Sequence, residues 1–550
     1  MRVSGAGRRA LVGVAATALV VGGLAASSAG AASAATGGSH AGDTYTGHAA
    51  TAVRVSHHVP GGAASRQLAR GERHTAAQLA TPAVAPRASS SAAAALATTA
   101  AGSALLKNFN GVSSRDSQFT NYNLKFEPPD QGLCQGAGFV IEAVNSAYSI
   151  YRSNGTRIRG PFNINDLFNE GGKEFTSDPR CWFDPTTRTW FAVILFLNDS
   201  FTEGRLDIAV NPNPDPTGLW TIYHIDTTDL GGNGCPCFGD QPRLGIDQTN
   251  VYVTTDEFSI LGPQFNGGQL YAISKADLVA GLPSIHFVHF GPLHLAGQLT
   301  GAPQPALSIG KPNAEYFLSQ LDFDGKGDHR IAVFAMTGRD KVQTGGTPTL
   351  TRTIIQSEAY ASPPPALQKG STSTIDSGDD RMQQASFVNG TVWGELATAF
   401  QPAGDTKVRS AGAWFQVRPQ LGNGGISAAT IVRQGYVAKS GAYVIYPAVQ
   451  PDAAGNAAMV FTLTGAGRFP SAAYARLASG AAAFGPPVVA AAGTGPYDKN
   501  ATRWGDYSFA VPDTTTDAAW LATEYIPPIS SQTTTRERNW GTRVLKVALG

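Results

Sequence analysis

The sequence predicts an all-β fold, a β-propeller of seven four-stranded blades, on three observations. A short motif returns about every sixty residues, and repeats of that length mean a propeller or a solenoid. Each copy places two apolar runs around a tight turn, which reads as a β-hairpin. The composition is low in charge (15% Asp, Glu, Lys and Arg) and rich in Gly (63) and Pro (34), as in all-β chains with many turns. Two copies are degenerate, so a six-bladed ring is the alternative.

At the N-terminus, residues 1–35 read as an export signal. Arg2, Arg8 and Arg9 give a basic start, Leu11 to Leu24 form an apolar run short for a membrane span, and Ala32-Ser33-Ala34 offers a cleavage site. Arg8-Arg9 raises a twin-arginine route, but Ala10 stands where a polar residue is expected, which favours the general secretory route. Residues 36–107 are Ala, Ser, Thr and Gly with almost no bulky apolar residue. Such a stretch cannot bury enough surface to offset its ordering entropy, so it is expected to be a disordered linker or pro-segment. Five of the ten His lie there (His40, His48, His57, His58 and His74), at irregular spacing that suits a solvated tail better than a metal tract.

Residues 108–550 are assigned to the propeller, whose size is allowed because each blade adds its own core. No second long apolar stretch follows, so the mature chain is expected to be secreted, extracellular, soluble and monomeric. A formal net charge of +1 with no basic block argues against nucleic acid and anionic membranes as partners.

Seven repeat starts lie near Asp130, Asp178, Asp240, Gln304, Asp380, Tyr446 and Asp506, with the Gln304 and Tyr446 copies degenerate. In the second, Ser177-Asp178-Pro179-Arg180 leads to Trp190-Phe191-Ala192-Val193. In the third, Asp240-Gln241-Pro242-Arg243-Leu244-Gly245-Ile246-Asp247 leads to Val251-Tyr252-Val253-Thr254, with residues 269–274 and 286–290 as the remaining strands. In the seventh, Arg503-Trp504-Gly505-Asp506-Tyr507 leads to Ala519-Trp520-Leu521-Ala522. Turns such as Asp184-Pro185-Thr186-Thr187, Asn389-Gly390 and residues 452–456 suit hairpins, because Asp, Asn and Gly tolerate positive φ and Pro fixes the first turn residue. Trp190, Trp393 and Trp520 hold equivalent second-strand positions and are expected in the core. Only three strands remain after Asp506. The segment from Phe119 to Phe126 is expected to supply the fourth and leave no open sheet edge.

The four cysteines, Cys134, Cys181, Cys235 and Cys237, are an even number in an exported chain and read as disulfides. Three pairings are open, and bridges near repeat starts would tie neighbouring blades. Cys235-Pro236-Cys237 is too tightly spaced for a zinc knuckle.

The repeat Asp and Arg open the inner strand, and the antiparallel second strand returns to the same rim. That rim should collect Asp178, Arg180, Asp240, Arg243, Asp379, Asp380, Arg381, Arg503 and Asp506 as binding residues. Asn198, Asp199, Asp256, Glu257, Glu395 and Glu524 stand at second-strand ends. Convergent polar groups in a concave mouth form the default binding site. The same residues also serve as turn acceptors and inter-blade ion pairs. Trp504, Tyr507, Phe258 and Tyr525 lie near the rim, where stacking on sugar rings competes with ordinary packing. No Gly-x-Ser-x-Gly elbow, His-Glu-x-x-His pair or phosphate loop is present. His224, His286, His289, His294 and His329 fall off the rim, against a Ser-His-Asp machine. No organic cofactor is expected; Ca²⁺ held by Asp178 and Asp240 is a further reading.

The chain resembles a broad family of exported bacterial β-propellers described as sialidase-like. The matching residues are Glu142-Ala143-Val144-Asn145-Ser146 with Ile150-Tyr151, Ser177-Asp178-Pro179-Arg180 with Asp184-Pro185, and Asp240 to Asp247. Tyr271 to Leu278, Arg503 to Ser508, Thr523-Glu524-Tyr525 and Asn539-Trp540-Gly541-Thr542-Arg543 also match. The resemblance covers most of residues 127–550 and implies the fold without an established reaction. Asp-box turns are missing: Ser153-Asn154-Gly155-Thr156 lacks the Asp and the Trp. The functional expectation is a glycan or protein ligand bound at the rim. The alternative is a sialidase-like glycoside hydrolase, with Glu257, Glu395, Glu524 and Tyr507 as candidate catalytic groups.

Overall fold

The computed structural model describes residues 44–61, 104–121, 126–228, 234–497, 503–528 and 538–550. The export signal and most of the expected linker lie outside the described residues. No helix among the described residues is long and apolar enough to cross a membrane.

The described chain is mostly β, built as seven successive four-stranded antiparallel meanders. Their first strands are Gly132–Gly136, Phe175–Asp184, Cys237–Ile246, Gln304–Ile309, Met382–Val388, Tyr443–Pro451 and Phe509–Pro512. Each first strand contacts the first strand of the next meander, and the seventh contacts the first again. Two of these neighbours pair in parallel, Ile246 with Leu307 and residues 306–309 with 385–388. Meanders joined side by side through their first strands are the topology of a β-propeller.

The cores follow from strand alternation. Both faces of the second strands are covered, so Thr189–Leu197, Thr391–Phe400 and Ala518–Tyr525 are buried throughout. Trp190, Trp393 and Trp520 sit fully buried on these strands.

The ring closes through an N-terminal strand, but not the expected one. Leu105–Ser113 pairs antiparallel with Gly541–Ala548 and completes the seventh meander. Phe119 lies instead in the helix Ser114–Thr120. Ser113 starts that helix with a capping box: its Oγ accepts from Asp116 N at 3.2 Å, and the Asp116 carboxylate accepts Ser113 N at 3.0 Å. The closing strand also grips the first meander. Its Val112 N–H donates to buried Glu142 Oε2 at 2.7 Å, and a Cβ at Gly111 would overlap that carboxylate.

The linker assignment is corrected over residues 44–61 and over residues 105–107, which belong to the closing strand. Thr44–Tyr45 pairs with the outer strand Thr349–Tyr360 of the fourth meander. Gly47–His58 runs on as one strand: its first half pairs with Ser284–Phe290 of the third meander, its second half with Trp220–Asp226 of the second. His48, His57 and His58 therefore belong to this strand and not to a solvated tail. Val53 and Val55 remain exposed, so the strap is held by backbone pairing to three sheet edges more than by apolar burial. Composition does not report that source of order.

One disulfide, Cys134–Cys181, ties the first strands of the first two meanders. The other, Cys235–Cys237, closes within the third meander and so does not link neighbours.

The two N-terminal strands should differ in weight. Deleting residues 105–113 opens the ring and should abolish a cooperative melting transition. Deleting residues 1–61 only bares outer edges and should leave a cooperative transition at a lower temperature. Calorimetry of the two deletions checks this, and equal losses would contradict it.

Candidate functional site

A local backbone device repeats at one mouth of the ring. The first strands of the second, third and sixth meanders each carry a bulge, at Ser177/Arg180, Asp240/Arg243 and Ile445/Ala448. At each bulge a residue of positive φ precedes a proline: Asp178 (φ 60), Gln241 (φ 47) and Tyr446 (φ 51). Asp130 (φ 45) adopts the same conformation ahead of the first meander. Positive φ is uncommon outside Gly, and a bulge re-aims the side chain that would otherwise alternate along the strand. Proline removes the N–H that would have needed a ladder partner. Asp130, Asp178 and Gln241 thereby join one hydrogen-bonded network, and the Tyr446 hydroxyl lies near its carboxylates without a hydrogen bond among the described residues.

Tyr507 donates its hydroxyl to Asp178 Oδ1 at 2.7 Å, and the Arg180 guanidinium lies 3.3 Å above the Tyr507 ring. Asn145 links neighbours: Nδ2 donates to Asp130 Oδ2 at 2.6 Å, and Oδ1 accepts Asp178 N at 2.7 Å. Asp130 Oδ1 accepts Asp506 N at 2.6 Å. Asp506 takes both contacts of Arg503 Nη2 at 2.7 Å, and Gln241 Nε2 reaches Asp506 at 3.3 Å. Arg381 grips Asp379 through Nε and Nη2, and its Nη1 donates to Gln241 and to Asp256. Arg243 Nη2 donates to Asp256 Oδ2 at 2.7 Å.

The structure thus brings together Asp178, Arg180, Arg243, Arg381, Arg503 and Asp506 from the sequence-predicted set. Asp240 is partly buried beside the carboxylates of Asp178, Asp256 and Asp506. Asp380 turns instead toward Asp322 of the fourth meander, and Asp379 takes its place beside Arg381. Glu395 is fully buried opposite Gln384, among backbone groups and away from the mouth. Glu524 accepts Gly505 N at 2.7 Å and so positions the loop that carries Arg503 and Asp506. Glu257 points to the other side of its strand from Asp256, toward Cys235. Tyr507 is paired with Asp178 rather than with Glu257 or Glu395. Trp504, Tyr507 and Tyr525 are buried, which leaves no face for a sugar; Trp504 packs against Tyr497.

Sequence reasoning placed Asp256 beside the rim but missed Gln241, Tyr446 and Asn145 as members of the mouth. The available signal was the residue preceding proline at equivalent first-strand positions, Asp178-Pro179, Gln241-Pro242 and Tyr446-Pro447.

Protonation follows depth. Burial pushes the Asp178 carboxyl up to about 6, against the Tyr507 hydrogen bond and with a push from Asp506. Burial also lifts Asp240 well above the usual range, with Asp178 and Asp256 adding to it. Burial opposes ionisation of Asp256 and Asp379 too, but Arg243 and Arg381 overcome it and hold both below the usual range. The mouth therefore mixes neutral-leaning acids with firmly ionised pairs.

A cavity of about 240 Å³ lies at the opposite ends of the first strands, lined by Gln135, Asp184, Asp247, Lys275 and Thr514 among others. Its charges are engaged in turns. Asp184 accepts Thr186 N and Thr187 Oγ1, Asp247 accepts Thr249 N and Asn250 N, and Lys275 Nζ pairs with Asp184 at 3.0 Å. The bulged mouth is the better candidate, because there several buried polar atoms have no partner among the described residues: Arg503 Nη1, Tyr446 Oη, Ser377 Oγ and Arg243 Nη1.

No protein-family model and no curated protein matches this chain. Solved structures with a similar fold include the Trypanosoma rangeli sialidase in complex with sialic acid, at 10% identity over 75% of this chain and 59% of that one, TM-score 0.36. An α-L-arabinofuranosidase from Fusarium graminearum aligns at 9% identity over 81% and 99%, TM-score 0.33. A Penicillium chrysogenum α-L-arabinanase complexed with arabinobiose aligns at 9% identity over 81% and 98%, TM-score 0.33. With TM-scores below 0.5, the reading of the site rests on its own geometry.

The raised Asp178 carboxyl fixes a sign. The folded state holds this proton more tightly than the unfolded chain, whose value is near 3.8, so stability is fully present at low pH and lost as pH rises through about 6. Asp178→Asn keeps an acceptor for Tyr507 and removes that loss, of up to about 3 kcal/mol. The stability difference between variant and parent should grow between about pH 4 and pH 6 and stay flat above pH 7. Denaturant unfolding across that range checks it; a difference independent of pH would contradict it.

Proposed function

We propose that the seven meanders are the blades of a seven-bladed propeller, exported from the cell, that binds a glycan at its bulged mouth. The observation that carries this is the set of buried polar atoms there without partners among the described residues, Arg503 Nη1, Tyr446 Oη, Ser377 Oγ and Arg243 Nη1. Leaving such groups unpaired is costly, and a ligand rich in hydroxyls can both donate to and accept from them. Arg381 and Asp379 are only partly buried and offer the outer contacts. Arg243, Arg381 and Arg503 already carry carboxylate partners, so a polyhydroxyl ligand suits the mouth better than a strongly anionic one. A Ca²⁺ ion between Asp178 and Asp240 is a separate proposal; it would offset the burial and the neighbouring carboxylates that lift Asp240, and a fall in melting temperature with chelator would support it.

A second reading is glycoside hydrolysis, favoured by one contact, the Tyr507 hydroxyl on Asp178 at 2.7 Å. A carboxyl pushed up to about 6 can hold a proton for a leaving group near neutral pH.

A glycan array of the full chain, with released sugar assayed alongside, separates the two. Arg503→Ala and Arg381→Ala should each weaken glycan binding by about 10- to 100-fold, the range for charged hydrogen bonds. Unchanged binding in both variants would overturn the proposed site. Sugar release that Asp178→Asn abolishes while binding persists would favour the hydrolase.

A further inference from the structure

We propose that Cys235 and Cys237, together with Glu257 and Asn266, form a thiol–disulfide exchange site whose substrate is a thiol compound. The pair stands at the start of the first strand of the third meander, upstream of its bulge. Cys235 is half-buried and Cys237 is buried. Asn266 Nδ2 donates to Cys237 Sγ at 3.0 Å, and Glu257 Oε1 lies 4.0 Å from Cys235 Sγ. Both sulfurs and a Glu257 oxygen lie within 4.8 Å of one another.

The two disulfides differ in what they constrain. Cys134–Cys181 spans 47 residues of chain and joins two meanders, whereas Cys235–Cys237 spans two. Loop closure stabilises the fold more as the loop grows, so the short bridge contributes least to stability. Cys134 and Cys181 are both buried, whereas Cys235 is half-buried, so an external thiolate reaches the short bridge first. A bridge that restrains so little chain has a weak structural role. Beside it stands the carboxyl of Glu257. Its Oε2 is buried without a partner among the described residues. Burial pushes this carboxyl up to about 8, so it carries its proton at neutral pH. The titratable groups facing it include the two sulfurs and, on the third strand of the meander, Tyr271, which stacks on His289; Asp226 acts on Tyr271 from the second meander.

The chemistry balances with an external thiol as co-reactant. A thiolate attacks Cys235 Sγ and forms a mixed disulfide; the Cys235–Cys237 bond breaks and its electron pair leaves on Cys237 Sγ. Asn266 donates a hydrogen bond to that leaving sulfur, and Glu257 gives it a proton. A second thiolate then attacks the external sulfur of the mixed disulfide and releases Cys235, which takes a proton from solvent. Two thiols become one disulfide, the protein pair is reduced, and Glu257 regains its proton from solvent. The attack is on the accessible sulfur, and the buried one leaves.

Timed reduction of the full chain with dithiothreitol or glutathione, followed by alkylation and peptide mass spectrometry, tests this. Cys235 and Cys237 should become alkylated while Cys134–Cys181 stays intact. Glu257→Gln should slow that step about tenfold at pH 7 and remove a rate inflection near pH 8, as expected for loss of a general acid. Asn266→Ala should slow it without moving the inflection. Opening of Cys134–Cys181 first or in parallel in the unmodified protein would overturn the proposal with no variant needed. Equal rates for Glu257→Gln and the parent at every pH would overturn it as well.

Discussion

The structure depends on one constraint: a ring of sheets is stable only if its last member finds a partner for its outer edge. Each meander buries its faces against its two neighbours, so the first and seventh have complete interfaces only when the ring is shut. The chain meets this with the pairing of Leu105–Ser113 against Gly541–Ala548. The same strand places Val112 N–H on Glu142 of the first meander, so closure and the joint between the two end meanders share one set of residues. Gly111 allows that approach, since any side chain there would meet the carboxylate.

Closure brings the first strands together and sets the electrostatics of the mouth. Acids from the first, second, third and seventh meanders are drawn together, Asp130 and Asp178 buried and Asp240 and Asp506 partly buried. Burying like charges is unfavourable unless they are paired or neutralised. The chain does both: Arg243 and Arg381 hold Asp256 and Asp379 ionised, while Asp178 and Asp240 move toward the neutral form. The residues of positive φ before proline make this possible, because a regular strand would send alternate side chains away from the axis. Polar atoms left over from this arrangement, on Arg503, Tyr446 and Arg243, give the mouth its capacity for a ligand.

The repeat made the meanders legible in the sequence, because the starts at Asp178 and Asp240 carry Asp, Pro and Arg in the same order ahead of an apolar strand and the other starts keep part of that pattern. Asp178, Arg180, Arg243, Arg381, Arg503 and Asp506 could be gathered on one rim for the same reason. Three features were not legible. The strap over Gly47–His58 is alanine-rich and ordered by pairing to outer edges of other meanders, so its local composition resembles a tail. The closing strand was placed too late, because the capping signal at Ser113 and Asp116 marks a helix where a strand was expected. Gln241 and Tyr446 looked like degenerate or passive positions, since their role comes from a backbone conformation and not from residue type. Asp380 and Glu395 were misplaced because alternation along a strand does not say which neighbouring meander a side chain will face.

Native-state hydrogen exchange, read peptide by peptide, tests ring closure most directly. If the ring is shut by the N-terminal strand, amides of Leu105–Ser113 should exchange as slowly as those of Gly541–Ala548, and both should open only with the whole ring. Rapid exchange over residues 105–113 beside continued protection of residues 541–548 would mean that the seventh meander stands without its fourth strand, contradicting closure as the constraint on which the mouth is built.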